Sequence, residues 1–195
     1  MVRKKVKRRL ANEFRIIGGE WRGRKFTFPS LDQIRPTPNR VRETLFNWVQ
    51  HDIARWRCLD LYAGSGALGM EALSRGAEYV TFVDMQPQVV KQIGVNLAQV
   101  ATNHAKIVCA DAISFIESYQ VAPVDLVFLD PPFHQGLLKQ CCELLEAKQV
   151  LAQRAYIYLE TEQPIDMQAY PTSWEIKRCQ KAGQVYAYLI DRSMA

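Results

Sequence analysis

The run Leu126-Val127-Phe128-Leu129-Asp130-Pro131-Pro132-Phe133 sets a carboxylate, two stiff imide units and an aromatic ring directly after an apolar segment. Such a segment fills the middle of a parallel sheet, and proline, with no N–H for the ladder, must end the strand. Ligands of open α/β sheets bind at that carboxyl edge. Asp130, Pro131, Pro132 and Phe133 are therefore candidate catalytic residues for a flat ring that carries an exocyclic amine. Asp130 can accept one N–H, the Pro131 carbonyl the other, and Phe133 can stack on the ring. The bland alternative is a Pro-rich turn with an N-capping Asp.

A second constellation precedes it. Gly64-Ser65-Gly66-Ala67-Leu68-Gly69 spells G-x-G-x-x-G between strand-like and helix-like segments, and Asp84 ends the next strand-like run. Literally read, this is a dinucleotide fingerprint, which keeps a nicotinamide-dependent oxidoreductase in view. Asp60, four residues before the first glycine, argues otherwise, because a carboxylate there repels a pyrophosphate. It favours a cofactor with a cationic end and no phosphates, and S-adenosylmethionine has a sulfonium and an ammonium. The glycines let the backbone approach the amino-acid part closely. Asp84 can accept from ribose hydroxyls, and Asp111 from the adenine amine. The candidate cofactor residues are Asp60, Tyr62, Ala63, Gly64, Ser65, Gly66, Asp84, Met85, Asp111 and Ala112. For Asp84 and Asp111 the bland alternative is helix N-capping.

These residues need elements to hold them. From Arg57 the chain alternates strand and helix: strands over 58–62, 79–83, 105–109, 124–129 and 155–160, and helices over 67–75, 87–100, 112–118 and from Leu137 onward. Gly76 stops the first of these helices. Segments around 173–178 and 184–190 form a closing pair about Gly183. Alternation of this kind predicts a mostly parallel sheet covered by helices on both faces. Before it, 14–19 and 24–28 read as two short strands of a hairpin, and Thr37 as the N-cap of a helix with Pro38 in its first position. Val41, Leu45, Trp48 and Val49 give that helix a buried face, while Arg40, Glu43 and Asn47 share another.

Charge divides the chain. Residues 1–42 hold 13 Lys/Arg against 3 Asp/Glu, and residues 43–195 hold 12 against 17. A basic arm on an acidic body points to a polyanionic partner. Arg15, Arg22, Arg24, Arg35, Arg40 and Arg42, with Trp21 as a stacking platform, are the candidate nucleic-acid-binding residues. A hairpin packed by its own Trp21 is the alternative. Five cysteines without C-x-x-C spacing argue against a disulfide framework and a zinc site. No apolar run nears the ~20 residues of a membrane span. The division expected is a disordered basic arm over 1–13, a hairpin extension over 14–36 and a catalytic domain over 37–195.

Together the loop and the Asp130 tetrapeptide resemble the Rossmann-like, S-adenosylmethionine-dependent amino-methyltransferases. More closely, the chain resembles the RsmD-type guanine-N2 methyltransferases of small-subunit ribosomal RNA. The specific pieces are Ile16-Ile17-Gly18-Gly19-Glu20-Trp21-Arg22-Gly23-Arg24, Arg35-Pro36-Thr37 with Arg40 to Asn47, the 60–69 loop, Asp130–Phe133 with Gly136-Leu137-Leu138, and Ala182-Gly183-Gln184-Val185. Asn39 departs from the family's usual Asp and carries no expected role. Asp111 stands where relatives can have an amide. The resemblance implies a cytoplasmic bacterial enzyme, a monomer needing no metal and no membrane. It implies methylation of the N2 amine of one guanine in 16S rRNA within an assembled small subunit, leaving S-adenosylhomocysteine as product. An N6-adenine methyltransferase on DNA or RNA is the alternative that the tetrapeptide leaves open, and a non-catalytic RNA-binding module with a relic cofactor pocket is another.

Overall fold

The computed structural model describes residues 12–31, 34, 36–131 and 136–193. Arg35, Pro132, Phe133 and the basic arm through residue 11 lie outside the described residues. Two strands, β1 (Asn12–Arg15) and β2 (Lys25–Phe28), pair antiparallel as a small sheet of their own. Helix α1 (Asn39–Trp48) follows. Alternation then begins: β3 (Arg57–Asp60), α2 (Ala67–Ser74), β4 (Tyr79–Asp84), α3 (Pro87–Ala98), β5 (Ala105–Cys109), α4 (Ala112–Glu117), β6 (Val124–Leu129), α5 (Leu137–Ala147) and β7 (Leu151–Thr161). A single 3-10 turn at Met167–Ala169 leads to β8 (Trp174–Ala182) and β9 (Val185–Ser193).

The main sheet has seven strands in the order β5-β4-β3-β6-β7-β9-β8. Strands β3 to β7 run parallel, and β9 is antiparallel to both of its neighbours. The central strands Leu126–Leu129 and Ile157–Leu159 are inaccessible to solvent, as apolar runs between two helical layers must be. One face packs the α1, α2 and α3 side chains Leu45, Phe46, Met70 and Ile93 against Phe82, Phe128 and Tyr158. The other packs Ile116, Cys141, Cys142 and Leu145 of α4 and α5 against Val127, Leu129 and Ile157. Among the described residues no helix is long and apolar enough to cross a membrane.

Helix α2 is buried at all eight positions, because it lies between the main sheet and the hairpin. Two glycines permit this. A Cβ on Gly69 would meet the Phe82 ring at 2.2 Å, so only glycine lets α2 sit this close to β4. Gly19, at φ +76°, would drive a Cβ into the Ser74 carbonyl at 1.8 Å. The hairpin is therefore seated on α2. Its aromatic side chains Phe14, Trp21, Phe26 and Phe28 belong to the same core as α1 and α2.

The start of α1 differs from expectation. The helix begins at Asn39 after an extended Pro38, with no side-chain cap. Pro38 is itself extended (ψ 144°) rather than the first helical residue, which leaves Thr37 one position too early to cap the helix. Thr37 is buried, and its hydroxyl bonds the Glu160 carboxylate instead. Strand β7 also starts four residues earlier than expected, at Leu151, where it pairs with Val124.

Candidate active site

Five strands deliver acids to one edge of the sheet. Asp60 ends β3, Asp84 ends β4, Asp111 follows β5, Asp130 follows β6 and Glu160 lies at the end of β7. Strand alternation decides which of them share a face. Asp60 pairs in register with Phe128, and Phe128 with Tyr158. Asp130 and Glu160 each lie two residues beyond these partners, so all three carboxylates point to the face covered by α1 and the hairpin.

Asp60 is buried, and its Oδ2 accepts the Gly69 N–H at 3.1 Å. Burial pushes its carboxyl up to about 7, and the charge of Asp84 adds to the rise while the Gly69 N–H opposes it. Asp84 holds the loop itself: Oδ2 accepts from Gly64 N at 2.9 Å and Oδ1 from Gln86 N at 2.8 Å. Burial raises its pKa as well. Each of its oxygens retains a second lone pair for a hydroxyl donor. Asp111 is exposed and caps α4, accepting from Ser114 N at 3.1 Å. The N-capping alternative thus holds for Asp111 but not for Asp84, since α3 is capped at Gln86 without a side-chain bond, and both carboxylates keep acceptor capacity beyond these contacts.

The loop between Asp60 and α2 is closed by backbone bonds. Ala63 N donates to Val83 O at 3.0 Å and Gly66 N to Ala63 O at 2.6 Å. Ser65 is buried, its Oγ accepting from Ala67 N at 3.3 Å. Tyr62 Oη lies 3.3 Å from Cys141 Sγ, which ties the loop to α5. Met85 is 67% exposed just past Asp84, a large apolar side chain free to cover a ring, and Ala112 is buried at the start of α4. Three acids, an exposed thioether and close-set backbone suit a nucleoside with a cationic tail. They do not suit a pyrophosphate.

Asp130 is half-buried and Pro131 buried. Burial raises the Asp130 carboxyl well above its usual range, with the charges of Glu160 and then Asp60 adding to it. Pro131 and Glu160 line a cavity of about 340 Å³ whose other walls include Leu137, Leu138, Ile165 and Tyr170. That volume is in the range of small-molecule sites. Pro132 and Phe133 were expected to complete this group and lie outside the described residues.

Glu160 was missed by sequence reasoning, although a signal existed. Ala155-Tyr156-Ile157-Tyr158-Leu159-Glu160 is an apolar run ending in an acid, the same form that singled out Asp84 and Asp130.

The basic residues divide. Arg15, Arg22, Arg24 and Arg40 are exposed. Trp21 and Arg42 are not, which corrects their expected place on an RNA surface. Trp21 is 5% exposed and packs the hairpin core, while its backbone N–H donates to Ser74 Oγ at 2.9 Å. Arg42 is fully buried, with Glu71 Oε2 3.5 Å from Nη1. Its Nη2 donates to Arg15 O at 2.9 Å and to Asn39 Oδ1 at 2.6 Å. An aromatic ring needed by a core and a guanidinium needed by a buried carboxylate are not available to RNA. Arg35 lies outside the described residues.

A family model described as conserved hypothetical protein 95 matches residues 14–191. Ribosomal RNA small subunit methyltransferase D of Escherichia coli strain K12 is 44% identical over 182 residues, covering 93% of this chain and 91% of that protein. The chain belongs to the ribosomal RNA small subunit methyltransferase D family. Its Haemophilus influenzae member is 41% identical, covering 89% of this chain and 91% of its own length. Within this family the fold holds as well. The solved structure of Escherichia coli yhhF aligns with a TM-score of 0.85 at 44% identity, covering 94% of this chain and all of that one.

Proposed function

We propose that this chain transfers a methyl group from S-adenosylmethionine to the exocyclic N2 amine of one guanine in 16S rRNA. The observation that carries the reading is the end of β6. Asp130 follows β6 between the strands that carry Asp60 and Glu160, one strand from the glycine loop, and Pro131 next to it lines the cavity. The acids of that loop and its neighbours, Asp60, Asp84 and Asp111, would hold the cofactor, whose contribution is a methyl group on a cationic sulfur. Met85 would lie against its adenine and Ala112 beside it.

The amine of guanine is a poor nucleophile because its lone pair is delocalised into the ring. Asp130 and the Pro131 carbonyl accept its two hydrogens and turn that lone pair out of the ring plane, which is catalysis by positioning. Positive charge then develops on the nitrogen next to Asp130, whose carboxylate stabilises it and takes up the proton. A carboxyl with a raised pKa is a better proton acceptor for this purpose. Phe133 stacks on the extruded base, which returns ~1–3 kcal/mol of the unstacking cost. Arg15, Arg22, Arg24, Arg35 and Arg40 bind phosphates, with the basic arm adding to them. The substrate is an assembled small subunit, the enzyme acts as a monomer, and its place of action is the cytoplasm.

Asp130→Ala tests this directly. Methyl transfer to unmodified small subunits should disappear while the thermal shift given by S-adenosylhomocysteine persists; equal loss of both would remove Asp130 from the chemistry. Mass spectrometry of the product nucleoside separates N2-methylguanosine from N6-methyladenosine, and the latter would replace the base named here.

A further inference from the structure

Glu160 is a buried carboxylate without a counter-charge among the described residues. It is 6% exposed, and the groups that bond it are hydroxyls: Tyr158 Oη donates to Oε1 at 2.8 Å, and Thr37 donates as well. Among the described residues no cation pairs with it, and the charged side chain acting on it from β6 is another acid, Asp130. Burying a carboxylate without a counter-charge is costly, so its placement calls for a reason outside the fold. The reason lies in what it faces. On the face covered by α1 its neighbour is Asp130 at the end of the adjacent strand, and Glu160 is also among the residues that line the 340 Å³ cavity at this edge, together with Pro131, Leu137, Leu138, Glu162 and Asp166. Two carboxylates side by side at the ends of adjacent strands, with an open cavity beside them, fit the donor edge of a flat base.

The edge that enters must offer donors. Guanine carries a ring N1–H directly beside its N2 amine, whereas adenine presents a bare N1 lone pair beside its amine. A carboxylate accepts the first and repels the second. Asp130 and Pro131 alone cannot make this distinction, because both bases bring an amine with two hydrogens.

We propose that Glu160 selects the base: its carboxylate accepts the N1–H of guanine while Asp130 and the Pro131 carbonyl hold the neighbouring N2 amine. This rests on the guanine-N2 reading above and adds to it the residue that rejects adenine. The two hydroxyls from Tyr158 and Thr37 fix the carboxylate's orientation, leaving its remaining lone pairs for the base.

The test replaces the mapped guanosine of the small-subunit RNA with 2-aminopurine. This base keeps the 2-amine but presents N1 as an acceptor. Wild-type protein should prefer guanine by about ten- to a hundredfold in kcat/KM, the size of one charge-assisted hydrogen bond and the lone-pair repulsion that replaces it. Glu160→Gln can turn its amide N–H toward the bare N1, so its preference should narrow by roughly tenfold. The missing O6 of 2-aminopurine affects both proteins alike and cancels in that ratio. S-adenosylhomocysteine should stabilise the variant as it does the wild type, which separates base selection from collapse of the site. Equal wild-type rates on the two bases would overturn the proposal without recourse to any variant. So would a Glu160→Gln protein that keeps the full wild-type preference, since the glutamate would then be structural. Failure of the underlying reading looks different: wild-type protein would leave no methyl group on guanine N2 at all.

Discussion

Glu71 and Glu160 are both buried glutamates on the same side of the sheet, and the fold treats them in opposite ways. Glu71, in the middle of α2, accepts the backbone N–H groups of Ile17 and Gly18 at 2.8 Å each. It also takes Arg75 Nε at 2.9 Å and lies 3.5 Å from Arg42 Nη1. Its charge is fully answered, and the answer fastens the hairpin and α1 to the helix that follows the glycine loop. Glu160 has two neutral hydroxyls and an acid for neighbours. A carboxylate that builds structure is given cations; one that waits for a ligand is left short of them. Perturbed carboxyls in a cleft mark function on this physical ground.

Substitution of Glu71 should break the contrast from one side with the largest effect. Glu71→Ala strands Arg42 in the core and frees two backbone donors, so urea denaturation should show a loss of about 3–5 kcal/mol. A loss below about 1 kcal/mol would mean that the network contributes little. Trp21→Ala probes the same anchored hairpin. It should cost ~3 kcal/mol of stability through the cavity it leaves, with RNA affinity of the folded fraction unchanged. A selective loss of RNA binding would restore Trp21 to the interface.

On the other side, Glu160→Gln should leave stability unchanged or raise it by up to ~1 kcal/mol, while methyl transfer falls. Removal of an uncompensated acid relieves the fold, and a clear loss of stability would place Glu160 with Glu71. The same contrast has a pH signature. A carboxyl that holds its proton more tightly in the folded state takes up a proton on folding, so stability falls as pH rises between its unfolded and folded values. For Asp60 this window runs from about 4 to about 7, and burial moves Asp130 and Glu160 in the same direction. The Tm should therefore decline across that window, and Glu160→Gln should make the decline shallower. An unaltered slope would show that the Asp130–Glu160 repulsion is not felt.

The smallest effect belongs to the exposed arginines. Arg24→Ala should weaken RNA binding about equally for all sequences and lower the salt-dependence slope by about 1. An unchanged slope would remove Arg24 from the phosphate contacts.

By itself the sequence determined the strand–helix alternation and the acids at the strand ends. Apolar runs stopped at Asp84 and Asp130, Asp60 lay four residues before the glycine loop, and a period of two or 3.6 is a local property that needs no knowledge of neighbours. The hairpin, the buried face of α1 and the glycine loop were legible for the same reason. Glu160 carried the same local sign and was passed over because no motif framed it. What only the tertiary structure decided is which of several similar residues is buried and beside what. Arg42 reads like Arg40 until α2 brings Glu71 against it, and Trp21 reads like a stacking platform until Gly19 lets the hairpin settle on Ser74. Register places Asp130 beside Glu160, residues thirty positions apart that no local pattern connects. Burial and charge pairing are properties of the packed chain, because desolvation depends on every element that closes over a side chain.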